Sequence, residues 1–126
     1  MSAIVTRGKD ILLIHRKKEG REYWVVPGGG VKEDETLEQG LIREVKEETG
    51  LNLIKHALIA QNIDEGIEHD FYICELSNGE PILGGPEAEE NNPDNSHRLE
   101  WVHKDKILKL SLYPNYLKNI TDKIFG

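Results

Sequence analysis

The sequence has little cysteine, no long apolar run and no excess of basic residues, and each shortage excludes a class of protein. Cys74 is the only cysteine in 126 residues, so no internal disulfide can form, and we expect a reducing, cytoplasmic compartment. No apolar run approaches the roughly 18 residues that span a bilayer, and residues 1–5 do not resemble a secretion signal. We therefore expect neither membrane insertion nor secretion. Because 16 Lys and Arg face 23 Asp and Glu, the formal charge is −7, which disfavours sequence-specific nucleic-acid binding.

The sequence has the composition of one folded domain. Hydrophobic residues make up 37% of the chain and charged residues 31%, a mixture typical of globular rather than disordered proteins. No repeat, linker or shift in composition divides it. We expect a single compact domain over residues 1–126.

The first third of the chain predicts strands that lead into a glycine-rich loop. Residues 3–6 and 11–17 are β-type runs on either side of a turn at residues 7–10, which indicates a hairpin. Residues 23–26 predict a third strand, which Pro27 and the glycines at positions 28, 29 and 30 end. These glycines can turn backbone groups toward a metal or a phosphate without interference from side chains.

Residues 36–49 predict an amphipathic helix. Leu37, Leu41, Ile42 and Val45 fall on one stripe, and Gly50 follows where a helix C-terminal glycine belongs.

The remainder predicts further strands, one long loop and a final helix. Residues 51–63 and 67–76 form two strand-like runs, and residues 84–96 have the composition of a surface loop. Residues 99–102 predict a strand, residues 105–110 a helical turn, and Pro114 the start of a C-terminal helix.

Three carboxylates stand out on the predicted helix. Glu44, Glu47 and Glu48 are spaced i, i+3 and i+4, so they project from one face. Like charges at that spacing destabilise a helix by a few tenths of a kcal/mol per pair, and anions near its C-terminus oppose the macrodipole. A hard, oxygen-preferring ion such as Mg²⁺ or Mn²⁺ would relieve both penalties, and such an ion often bridges to phosphates. A bare acidic helix face is usually only solvated surface, so the longer pattern around it decides between the two interpretations.

That longer pattern resembles a known signature. Gly29, five residues, Glu35, seven residues and then Arg43-Glu44-Val45-Lys46-Glu47-Glu48-Thr49-Gly50-Leu51 match every defined position of the Nudix box, and the chain resembles the Nudix hydrolases of the MutT-like type. The resemblance extends to the strand that ends in residues 15–17, to residues 24–29 and to residues 100–102 before the C-terminal helix.

The resemblance implies an α/β fold of the α+β kind. The expected architecture is an α/β/α sandwich with a mixed sheet, a box helix at about residues 36–49 and a C-terminal helix. Its implied activity is hydrolysis of a diphosphate linkage in a nucleoside di- or triphosphate derivative, by attack of a metal-activated water on phosphorus.

The resemblance also implies roles for individual residues. Glu44, Glu47, Glu48 and the Gly28 carbonyl are the implied Mg²⁺ or Mn²⁺ ligands, whereas Gly29, Glu35, Arg43 and Gly50 serve the structure of the box. A further ligand or base is expected from the later loop, where Glu87 is our choice over Glu89 and Glu90. Either Glu44 or Glu87 is the expected acceptor of the water's proton.

Other residues carry weaker predictions. Arg16 or Lys17, at the end of the early strand, is a plausible phosphate contact because arginine can pair bidentately with phosphate oxygens. No histidine has metal-ligand spacing, and Cys74 in an apolar strand is expected to pack rather than react.

Several alternatives stay open at this level. A Nudix-type domain can bind a nucleotide or protein without turnover, although three intact box glutamates favour the enzyme. The residues that mark ADP-ribose and diadenosine-polyphosphate hydrolases are missing from positions 66–69, so nucleoside triphosphates, nucleotide sugars and other nucleotides remain open. Many members of the family are homodimers, but no residue here identifies an interface.

Overall fold

A computed structural model describes residues 1–84 and 92–126 of the chain. The predicted loop acids Glu87, Glu89 and Glu90 lie outside the described residues. Seven strands are described: β1 (Ser2–Arg7), β2 (Asp10–Lys18), β3 (Arg21–Val25), β4 (Leu53–Asp64), β5 (Ile67–Leu76), β6 (Asn95–His103) and β7 (Leu112–Tyr113). The helices are α1 (Leu37–Thr49), α2 (Lys104–Ile107), a 3₁₀ helix (Asn115–Ile120) and α3 (Thr121–Phe125).

The strands form a mixed, curled sheet in which the β1–β2 hairpin joins two parts. In one part, β5 pairs parallel with β1 and antiparallel with β4. In the other, β2 pairs antiparallel with β3 and β6, and β3 pairs parallel with β7. Strand β1 pairs with β2 only at Thr6–Ile11 and Arg7–Asp10, so the sheet turns at the hairpin.

Helices cover both faces of this sheet. Because side chains alternate along each strand, neighbouring residues of β2 pack against different helices. Leu12 of β2 belongs to the same buried cluster as Leu41 and Val45 of α1. Its neighbour Leu13 belongs to the other cluster, with Leu117 of the 3₁₀ helix. The predicted α+β sandwich with a mixed sheet is confirmed.

Two predicted boundaries differ from the structure. Strand β6 begins at Asn95 rather than at residue 99, since Asn95 and Ser96 pair with Lys18 and Lys17 of β2. Pairing with a neighbouring strand therefore outweighs the low strand propensity of these polar residues. At the C-terminus, the predicted single helix is a 3₁₀ helix that starts after Pro114 and is followed by the short α3.

The buried stripe of α1 also differs from the prediction. Ile42 has 45% of its surface exposed, whereas Leu41, Val45 and Glu48 are buried. Positions 41, 45 and 48 follow the i, i+4, i+7 spacing of one helix face, so the stripe runs into an acidic residue at its end.

The length and hydrophobicity of the helices can be compared with what a membrane-spanning helix requires. Of the helices in residues 1–84 and 92–126, none is both long and apolar enough to cross a membrane.

Candidate active site

The two ends of α1 are fixed by local capping. The Thr36 hydroxyl accepts a hydrogen bond from the Gln39 backbone N–H at 3.1 Å, and the Gln39 side chain accepts one from the Thr36 N–H at 2.8 Å, which is a capping box. Gly50 adopts a left-handed conformation with φ of 73° and donates its N–H to Lys46 O. These caps place the box carboxylates on the last two turns of the helix.

The glycine-rich loop is held beside α1 by backbone pairing with the start of the chain. The Ala3 N–H donates to Pro27 O at 2.7 Å, and the Gly29 N–H donates to Met1 O at 3.1 Å. Gly28 has φ of 150°, and a Cβ there would lie 2.1 Å from Met1 O. A glycine is therefore required at position 28 by both conformation and space.

Arg43 braces the loop against the helix. Its guanidinium donates to both carboxylate oxygens of Glu35, with Nη2–Oε1 at 2.6 Å and Nε–Oε2 at 3.0 Å, and also to Gly30 O at 3.0 Å. These side-chain hydrogen bonds from Arg43, followed by one from the Lys32 N–H, lower the pKa of Glu35 from 4.5 to about 2. Glu35, and secondarily Glu44, in turn raise the pKa of Arg43. These contacts join Glu35 and the Gly30 carbonyl to α1 through Arg43.

Glu44 and Glu47 share the other end of the same guanidinium. Arg43 Nη1 lies 2.9 Å from Glu44 Oε1 and 3.5 Å from Glu47 Oε2. Gly29 makes room for the first of these carboxylates, because a Cβ at position 29 would lie 2.5 Å from Glu44 Oε1. The Glu44 side chain is 14% exposed and that of Glu47 is 41% exposed, so solvent reaches Glu47 more easily.

Glu48 lies beneath the loop rather than on the surface. The residue is only 4% exposed, and the Gly28 N–H donates to its Oε2 at 3.3 Å. The structure thus brings together two residues that the sequence proposed as metal ligands, Gly28 and Glu48.

The donor chemistry of this cluster fits a hard divalent cation. Three carboxylates lie on adjacent turns, and the Arg43 guanidinium contacts two of them, so the local charge is negative. The donor atoms are oxygens, which hard divalent cations prefer. In the described parts of the chain, however, no three His, Cys, Asp or Glu side chains are close enough together to hold a metal. Glu44 and Glu47 contact Arg43, whereas Glu48 accepts from the Gly28 N–H.

The two cations proposed for phosphate contact lie on opposite faces of β2. Arg16 lies on the face of Leu12, toward α1, where its guanidinium donates to Asn95 and lies 5.5 Å from the centre of the Tyr23 ring. Its buried Nε has no hydrogen-bond partner within the described residues. Lys17 points to the other side, where its Nζ lies 3.7 Å from Glu22 Oε2. Arg16 is therefore the cation on the side of the box helix.

Sequence reasoning missed two residues that shape the site. Gly84 packs against the end of α1, because a Cβ there would lie 2.8 Å from Glu47 O, and the neighbouring Ile82 N–H donates to Thr49 O. Asn95 orients Arg16 from a segment that was predicted to be loop. The glycine at position 84 was a usable signal in the sequence, whereas no sequence pattern indicated a role for Asn95.

Comparison with known proteins agrees with the box and the fold. The family model for the NUDIX domain matches residues 1–123. The "Putative 8-oxo-dGTP diphosphatase" of Bacillus subtilis is 29% identical over 121 residues, which cover 94% of this chain and 74% of that protein. Nudix hydrolase 2 of Arabidopsis thaliana is 26% identical over 94% of this chain, which spans only 44% of that protein.

A solved structure supports the fold independently of sequence identity. MutT, from a study of the Aliivibrio salmonicida and Vibrio cholerae proteins, superposes with a TM-score of 0.74 and 18% identity over 98% of this chain and 93% of that one. Together with the family match over residues 1–123, this shows that the chain belongs to the Nudix hydrolase family, whose members hydrolyse nucleoside diphosphate-linked substrates.

Proposed function

We propose that this Nudix hydrolase is a cytoplasmic enzyme that depends on Mg²⁺ or Mn²⁺ and cleaves the diphosphate linkage of a nucleoside di- or triphosphate derivative. The observation that carries the proposal is the cluster of Glu44, Glu47 and Glu48 on the last turns of α1, with Gly28 directly beside it. A solvated helix face would not bury one of these carboxylates beneath a glycine loop.

The residues that would hold the cation are Glu44, Glu47, Glu48 and the carbonyl of Gly28. When bound, Mg²⁺ or Mn²⁺ supplies charge neutralisation at the phosphates and lowers the pKa of a coordinated water. The bidentate pair with Glu35 holds Arg43 in place beside Glu44 and Glu47.

The protein's own groups complete the reaction. Water adds across the P–O–P linkage, so one P–O bond breaks and the water's proton must leave for a base. Glu44 or Glu87 accepts that proton. Arg16 contacts a phosphate oxygen through its guanidinium, since it lies on the α1 side of β2 and arginine can pair bidentately with phosphate oxygens.

The position of Gly84 supports a role for Glu87. Gly84 lies against Glu47 O at the metal-binding end of α1. Glu87 follows three residues after Gly84 in the sequence. Glu89 and Glu90 follow further along the same segment.

The three acids at positions 87, 89 and 90 give a prediction about which of them affects the turnover rate. Glu87→Gln should lower the turnover rate, whereas Glu89→Gln and Glu90→Gln, as matched controls in the same segment, should leave it unchanged. Initial rates at saturating substrate and Mg²⁺ measure this directly. If Glu89→Gln or Glu90→Gln is the slow variant instead, the loop ligand has been assigned to the wrong residue.

The nucleotide class is proposed from the relatives. The Bacillus subtilis relative is named for 8-oxo-dGTP diphosphatase activity, so nucleoside triphosphates, including oxidised ones, are the first substrates to test. Nucleotide sugars come next, followed by ADP-ribose and dinucleoside polyphosphates, whose marker residues are missing here.

The experiment that tests the proposal is a hydrolysis panel over these four classes with Mg²⁺, Mn²⁺ or a chelator. We expect cleavage of one class that the chelator stops, and the products identify the phosphorus attacked. Cleavage that persists in chelator would contradict the metal dependence. Mg²⁺ binding with no cleavage of any class would favour the alternative of a non-catalytic nucleotide-binding module.

A further inference from the structure

A cavity lies on the α1 face of the sheet, beyond the end of the helix. Helix α1 stops at Thr49, so its apolar side chains cover Ala3 and Leu12 but leave the same sheet face open further along β1 and β5. The open region is a cavity of about 590 Å³, within the range of about 300–1,000 Å³ that small-molecule sites occupy.

The floor and walls of this cavity are largely apolar. Val5, Cys74 and Leu76 lie along the strands, Leu51 follows the end of α1, and Trp101 of β6 closes one side. Burial raises the pKa of the Cys74 thiol to about 12, so the sulfur contributes apolar surface rather than a nucleophile.

Arg7 brings a positive charge to this cavity, although the whole chain carries a charge of −7. Lys55 and Glu75 also belong to the lining, but they face each other in the β4–β5 ladder and lie on the sheet face away from Cys74 and Leu76. The Arg7 guanidinium lies 4.2 Å from the centre of the Trp101 ring, which places its charge beside the apolar wall. Its ion pair with Glu80, at 3.4 Å, is open to solvent and therefore weak.

From this combination we propose that the cavity is a second ligand site, which takes a small organic anion with an apolar body and one anionic head group. The body packs between Leu51, Leu76 and Trp101, and the head group pairs with Arg7. Among the residues that the structure describes, none of those proposed to bind metal or phosphate lines the cavity. The inference therefore does not depend on the proposed function.

The cavity is nonetheless connected to the end of the box helix. Leu51 directly follows Gly50. The neighbouring lining residues 77–79 and Pro81 lead into Ile82, whose N–H donates to Thr49 O. An occupant of the cavity would thus contact both segments that hold the C-terminal turn of α1.

An NMR titration with 1-naphthoate in the absence of metal tests the proposal. Because the chain has two tryptophans, the indole N–H of Trp101 reports on the cavity and that of Trp24 is an internal reference. We expect saturable shifts at Trp101, Val5, Leu51 and Leu76, with Trp24 unchanged. The neutral analogue 1-naphthalenemethanol should bind more weakly.

A charge-matched control variant separates the cavity from general electrostatics. Arg7→Gln should weaken binding of 1-naphthoate about two- to fivefold, since an exposed ion pair contributes modestly. Lys9→Gln removes the same charge from an exposed position that does not line the cavity and should have no effect. Shifts centred on residues 28–48, equal affinity for the neutral analogue, or equal losses in both variants would each overturn the proposal.

Discussion

At the scale of single residues, the site depends on small differences between neighbouring glycines. A Cβ at Gly29 would meet the Glu44 carboxylate at 2.5 Å, whereas a Cβ at Gly30 would meet no atom of the described residues within 4 Å. Both residues belong to one run of three glycines, which the sequence alone presents as equivalent turn formers. Only the packing of the loop on α1 distinguishes them.

This difference predicts opposite outcomes for two conservative substitutions. Gly29→Ala should push the Glu44 carboxylate aside and lower kcat/KM by about 100-fold, because displacement of a reacting group by about 1 Å has that effect. The free energy of unfolding should change little, since the clash is with the end of a flexible side chain. Gly30→Ala is the matched control, and it should retain the native kcat/KM. Equal rates for the two variants would show that Glu44 need not occupy its observed position.

The Glu35–Arg43 pair gives a pH-dependent prediction. The pKa of Glu35 is lowered from 4.5 to about 2 in the folded chain, so its contribution to stability is complete above pH 4.5 and is lost as the pH falls toward 2. Urea unfolding between pH 2 and 5 should therefore show a free energy of unfolding that falls with decreasing pH. In Glu35→Gln that decrease should be smaller. If the two curves are parallel, the ion pair does not stabilise the fold.

At the scale of elements, helix α1 carries both the box carboxylates and Arg43, which joins the helix to the glycine-rich loop. Its existence, its approximate ends and its acidic face were predictable, because capping residues and helical spacing are local properties of the sequence. Its buried face was predicted incorrectly at Ile42, since burial depends on what packs above the helix. The loop buries Glu48 in line with Leu41 and Val45, which no hydrophobic pattern indicates.

The N-terminal cap of α1 gives a prediction at this scale. Thr36→Ala removes the hydroxyl that accepts the Gln39 N–H and should lower the free energy of unfolding by about 1 kcal/mol. Thr36→Ser keeps the hydroxyl and should retain most of that stability. Urea denaturation of both variants and the native chain makes the comparison. A loss as large in Thr36→Ser as in Thr36→Ala would mean that the cap is not the cause.

At the scale of the whole molecule, the mixed sheet brings distant segments of the sequence together. The start of the chain anchors the glycine loop, β2 presents Arg16, and β6 supplies the Asn95 that orients it. The sandwich was predictable from the resemblance and from strand periodicity. Contacts between β2 and β6 were not, because Arg16 and Asn95 are 79 residues apart and Asn95 lies in a polar stretch without a strand pattern.

The central claim is that the box carboxylates hold the metal on which turnover depends. The most direct measurement compares initial rates with Mg²⁺ for the native chain, Glu47→Gln and Glu48→Gln. Glu38→Gln serves as a control that removes an exposed carboxylate from the first turn of the same helix. Each of the two box variants removes like-charge repulsion of a few tenths of a kcal/mol, so the fold should persist.

We predict that Glu47→Gln and Glu48→Gln lose Mg²⁺-dependent hydrolysis while their circular dichroism spectra stay native and Glu38→Gln keeps the native rate. Full activity in either box variant would contradict the assignment of that carboxylate to the metal.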